Sequence, residues 1–112
     1  MNNKRFDSVW DAIEDTPEVA ENMKLRSALM MILTEYLNSA GLDQKQAASR
    51  LHVTQPRISD LMRGKIDRFG LDTLINMASA AGLTVEMRVF SPDQNRAEPL
   101  GTVRALAQQP AV

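Results

Sequence analysis

Cysteine is absent from the chain, and histidine occurs once, at His52. The first absence excludes a disulfide framework and thiolate chemistry. The two together argue against a dedicated zinc site. Aromatic residues make up 4% of the sequence, with a single Trp, so Leu, Ile, Val, Ala and seven Met must fill the core. That composition suits small packed helices better than a β-sandwich. No apolar run approaches the roughly 18 residues of a membrane span. The opening MNNKRFDSVW has no apolar signal core. A cytoplasmic location without a membrane partner is the expectation. His52 has no carboxylate pair or glycine-rich phosphate loop around it. No catalytic residue, cofactor or metal ligand is therefore assigned, and an enzyme is not expected.

What remains is a chain of 112 residues, 44% hydrophobic and 24% charged, enough for one domain. Its net charge is −1, but the charge is unevenly spread. Residues 1–22 carry two cations, Lys4 and Arg5, against six carboxylates. Residues 44–68 carry Lys45, Arg50, Arg57, Arg63, Lys65 and Arg68 against Asp60 and Asp67. A basic segment inside a neutral protein suits a local nucleic-acid face, and it equally suits a solvated polar surface.

Helix signals recur along the chain. Ser8 can cap a short turn through Val9, Trp10, Ala12 and Ile13. Phe6, Trp10 and Ile13 either clamp this acidic arm onto the core or form a protein-docking surface. Thr16-Pro17 starts a long helix, with Glu18 and Glu21 near its positive end and Gly41 closing it. Leu25, Ala28, Leu29, Ile32, Leu33, Tyr36, Leu37 and Ala40 form one stripe at spacings of three and four. Met23, Met30 and Met31 widen it, as core or as a second packing surface.

Asp43 and Gln46 have capping-box spacing before a short helix with Ala47, Ala48 and Leu51 on its inner face. Any side chain bulkier than Ala48 there holds this helix and the next apart. His52-Val53 makes a break, and Thr54 caps a second short helix with Pro56 in its first turn. Ile58, Leu61 and Met62 are expected to face inward, and Gly64 to end the helix. Gln55, Arg57, Ser59, Asp60 and Arg63 are left facing out. After a cationic loop, Leu71, Leu74, Ile75, Ala78 and Ala81 describe another helix, with Phe69 beneath it. Leu83–Phe90 alternates in period two and reads as a strand. With no second strand apparent, it either pairs with its own copy across a two-fold axis or packs as an edge on the helices. Residues 91–112 hold three prolines and no sustained period, which predicts a mobile tail.

Residues 43–65 resemble the helix-turn-helix of the phage lambda repressor and Cro family, often called the XRE family. The match rests on Gln44, Ala48, Val53, Ile58, Leu61 and Gly64 at family spacing. His52 departs from it, since the family usually has glycine in the turn. Residues 8–90 are also similar to the small HigA-type antitoxins of that family. The resemblance implies a mainly α fold: a lambda-repressor-like bundle of about five helices with one C-terminal strand used for dimerisation. From the residues themselves, the expected parts are an acidic arm (1–15), a DNA-binding domain (16–82), a dimerisation strand (83–90) and a flexible tail (91–112), the last lying outside the resemblance. The resemblance also implies a homodimer that represses its own operon and neutralises a small basic RelE-like ribonuclease toxin. A stand-alone XRE-family regulator with no toxin is the alternative.

On this reading Gln55, Pro56, Arg57 and Asp60 face base edges in the major groove of a near-palindromic operator. Arg57 suits guanine, and Gln55 suits adenine. Asp60 is assigned either to a cytosine amino group or to orienting Arg57. Gln44, Lys45, Thr54, Arg63, Lys65 and Arg68 are assigned to phosphates, which position the protein without reading sequence. Val85, Met87 and Val89 are assigned to the dimer interface. Phe6, Trp10 and Ile13 are the candidate toxin contacts.

Overall fold

A computed structural model describes residues 16–93 and 98–105 of the chain. Four α-helices stand among them: α1 (Pro17–Ser39), α2 (Gln44–Leu51), α3 (Gln55–Met62) and α4 (Leu71–Ala80). A 3₁₀ turn (Ile66–Arg68) lies between α3 and α4. Strands β1 (Val85–Val89) and β2 (Gly101–Ala105) follow. The expected short helix after Ser8, and with it Phe6, Trp10 and Ile13, lies outside the described residues.

The helix starts are set by side chains that take up amides the helix itself leaves unpaired. Thr16 Oγ1 accepts from the Val19 amide at 3.3 Å, and Pro17 needs no donor. At α2 the expected capping box is present in both directions. Asp43 Oδ1 accepts from the Gln46 amide at 2.7 Å, and Gln46 Oε1 accepts from the Asp43 amide at 3.0 Å. Thr54 Oγ1 accepts from the Arg57 amide at 3.4 Å to start α3. Between α2 and α3 the chain reverses at His52, whose φ of 59° and ψ of 43° place it in the left-handed region. This turn lets α3 fold back across α2.

The core joins all four helices. Leu33 and Leu37 of α1 meet Ala47, Ala48 and Leu51 of α2, Ile58 and Leu61 of α3, Phe69, and Leu74, Met77 and Ala78 of α4. Phe69, Leu33, Ile58 and Leu74 are fully excluded from solvent. Two expectations about facing are corrected. The inner face of α1 runs through Met23, Met30, Leu33 and Leu37, while Leu25 and Ile32 are more than half exposed. Met62 faces solvent as well. The α1 correction has a plain cause: α1 is apolar over more than half its circumference, and the helices reach only one side of it. Leu25, Ala28, Leu29 and Ile32 instead line a groove of about 350 Å³ shared with Ile75 of α4 and Met87 of β1.

One segment of the expected tail, Gly101–Ala105, is a strand. β2 pairs antiparallel with β1 in the register Val85↔Ala105, Met87↔Val103, Val89↔Gly101. β1 thus finds a partner within the chain, contrary to the expectation. Pleating puts Val85, Met87, Val89 and Val103 on one face of the hairpin. On the other face Arg104 pairs with Glu86 at 3.4 Å.

His52 gives a test of the turn. A left-handed conformation costs an L-residue about 1–2 kcal/mol, and a glycine loses about 0.5–1 kcal/mol more entropy on folding. His52→Gly should therefore stabilise the fold by about 0.5–1 kcal/mol, read as a raised urea midpoint. A midpoint that is unchanged or lower rules out strain at this position.

Candidate nucleic-acid interface

The second helix of the pair, α3, is held by its inner face. Ile58 and Leu61 are buried to about 1% or less. At about 100° per residue, Pro56, Ser59, Asp60 and Arg63 fall on the opposite side, with Gln55 and Arg57 on the two flanks. Gln55 and Pro56 are exposed at the N-terminal end of the helix. Thr54, just before them, is exposed as well. So are Gln44 and Lys45 in the first turn of α2. The α2 start contributes two backbone amides beside the capped one, an arrangement that attracts anions. Arg63 caps the far end of α3, also exposed.

Two of the four residues expected at base edges are engaged inside the protein. Arg57 is half-buried. Its Nη1 donates to the Arg68 carbonyl at 3.1 Å, and its guanidinium carbon lies 4.5 Å from the centroid of the Phe69 ring. Asp60 does not orient Arg57. Its carboxylate, 16% exposed, accepts from Arg68 Nη1 at 3.2 Å and faces Lys65 Nζ at 3.7 Å. Lys65 and Arg68 thus remain at the surface, but tied to the helix they were expected to assist.

One residue was not singled out from the sequence. Arg26 of α1 donates through Nη1 to the Ile66 and Phe69 carbonyls, each at 3.3 Å. It braces the loop from beneath. A signal existed: Arg26 lies three residues after Met23 and four before Met30, on the buried face of α1. On the outer flank of the helix pair, Arg50 Nη1 donates to the Tyr36 hydroxyl at 2.8 Å.

The arrangement is a short helix with open polar residues at its leading end, set between an exposed helix start and a cationic loop. No helix among the described residues is long and apolar enough to cross a membrane. A family model described as a helix-turn-helix domain matches residues 12–90. No curated protein matches the chain.

The Asp60 cluster can be weighed in solution. Exposed pairs contribute about 0.2–1 kcal/mol and are screened by salt. Asp60→Asn should lower the unfolding free energy by no more than about 1 kcal/mol at low salt, read from the denaturation midpoint, and the difference should shrink toward zero in about 1 M NaCl. A loss that salt leaves intact points to packing rather than charge at Asp60.

Proposed function

Because the chain belongs to the helix-turn-helix domain family, we propose that it is a sequence-specific DNA-binding repressor acting as a homodimer on a near-palindromic operator. The observation that carries this reading is α3 itself: an anchored helix whose open leading end, Gln55 and Pro56, is free to enter a major groove. An α-helix fits that groove, where each base pair displays a distinct pattern of donors and acceptors. Gln55 has the donor–acceptor pair that adenine requires, and Pro56 offers an apolar surface to a thymine methyl. Gln44, Lys45, Thr54 and Arg63 flank this end and the far end, positioned for phosphates. Lys65 and Arg68 add cations from the loop.

The homodimer is supported by what the fold leaves uncovered. Met87, Val89 and Val103 on one face of the hairpin are 43%, 53% and 59% exposed, and Leu25 and Ile32 beside it are 52% and 56% exposed. Among the described residues no strand occupies the second edge of β1. A copy related by a two-fold axis can pair at that edge and cover these side chains. Two recognition helices about 34 Å apart then meet successive turns of the same groove.

A narrower role as a HigA-like antitoxin is supported by the resemblance over residues 8–90 and by the acidic sequence from Asp7 to Glu21. A basic ribonuclease toxin is attracted to such a segment, with Phe6, Trp10 and Ile13 as apolar anchors. A stand-alone regulator lacks this partner. Co-purification of the product of a neighbouring reading frame encoding a small basic protein separates the two.

Gln55→Ala should weaken operator binding by about 1–3 kcal/mol and relax preference at one base position. A gel-shift series over single-base operator variants measures it, and an unchanged profile removes Gln55 from the interface. Met87→Asp with Val89→Asp should leave the helical circular dichroism in place and yield a monomer by light scattering. Val85 is left alone because it packs against the core. A dimer that survives this change places the interface elsewhere.

A further inference from the structure

We propose that Arg57 is a positioning residue, not a base reader: its guanidinium clamps the loop from Lys65 to Phe69 onto the recognition helix. It thereby sets where Lys65 and Arg68 meet the DNA backbone. The proposal rests on the reading of α3 as the recognition helix.

Reading a guanine takes two N–H donors of one guanidinium edge, presented outward. Arg57 sits on the flank of α3, half-buried, with one of its donors and its ring-facing side engaged inside the protein. One nitrogen donates to the Arg68 carbonyl. The planar face lies over Phe69, a ring with no solvent exposure. Moving this side chain into the groove forfeits both contacts and uncovers the ring.

The loop needs such a clamp. Between Gly64 and α4 the only regular structure is the three-residue turn Ile66–Arg68. Three carbonyls of this stretch point to arginines: Ile66 and Phe69 to Arg26 from α1, and Arg68 to Arg57 from α3. Two guanidiniums on different helices therefore hold the loop backbone. Asp60, three residues after Arg57 on α3, holds the loop's cationic side chains, Arg68 at 3.2 Å and Lys65 at 3.7 Å. Arg57 fixes where the loop runs, and Asp60 fixes where its cations point. Arg68 remains 52% exposed at its side chain, with donors left for a phosphate.

The test compares wild type, Arg57→Ala and Arg57→Met, the latter keeping the apolar stem over Phe69. In the free protein, hydrogen exchange of the Arg68 and Phe69 amides reports the clamp; these amides donate to the Lys65 and Ile66 carbonyls. Both variants should exchange there about tenfold faster, with the amides of α2 unchanged. With DNA, binding is measured on the operator, on its single-base variants and on unrelated duplex at several salt concentrations. Both variants should lose about tenfold on every duplex alike, keep the wild-type pattern of base preference, and show a salt dependence shallower by about one phosphate contact. Loss of discrimination at one base pair, with unrelated duplex bound as before, makes Arg57 a base reader and overturns the proposal. Unchanged amide exchange overturns it without any DNA. If wild type binds all duplexes equally, the operator reading fails on its own, and the exchange rates still decide the clamp.

Discussion

The Phe69 ring is fully buried beneath α4, and the chain must dive inward from Gly64 to put it there. The three-residue turn Ile66–Arg68 pairs only part of this backbone, and an unpaired buried carbonyl is costly. Arginine side chains resolve this. Arg26 reaches up from α1 and Arg57 reaches down from α3, and between them they satisfy the Ile66, Arg68 and Phe69 carbonyls. The resolution has its own cost, because Arg26 Nε is buried and finds no partner among the described residues. The outcome is a short turn braced by two arginines, joining α3 to the core.

That brace ties the long helix α1 to the recognition surface, though α1 contributes none of the expected DNA contacts. One face, through Met23, Met30, Leu33 and Leu37, organises the core, and Arg26 on the same face secures the loop. The neighbouring face, through Leu25, Ala28 and Ile32, is apolar and covered by nothing among the described residues; it opens into the groove beside Met87. A helix apolar on two faces folds one domain and still has surface for a second association. For a reader of paired half-sites this division is useful. On the proposed function, the face open to a second copy and the face that fixes α3 lie on the same helix.

The local rules were legible from the residues. Thr16, Asp43 with Gln46, and Thr54 each cap the helix their type and spacing predict, and Phe69 and Ala48 are buried as expected. His52 also stands in the left-handed turn that the family resemblance required of it. The misses concern choices that local pattern leaves open. On α1, Ile32 and Met30 are equally apolar, so the stripe alone does not say which side meets the other helices. Gly101–Ala105 has only Thr102 and Val103 as strand formers and lies among prolines, so its strand depends on the ladder that β1 offers. The partners of Arg57 and Asp60 lie five to twelve residues along the chain, across a loop whose path no periodicity describes.

The same loop changes how the charge pattern should be weighed. Counting six cations against two carboxylates between residues 44 and 68 treats each side chain as free. In the folded protein Arg57 is turned onto a ring and a carbonyl, and Arg50 donates to Tyr36. Lys65 and Arg68 share the carboxylate of Asp60. Lys45 and Arg63 alone in this segment are exposed cations with no internal partner among the described residues, and they stand at opposite ends of the helix pair. Two free cations and two tethered ones make a modest field for a polyanion. On the proposed function, one copy therefore holds DNA weakly, and useful affinity depends on two copies binding together. The uncovered apolar face of α1 and the hairpin is then as much a part of the DNA-binding apparatus as the recognition helix.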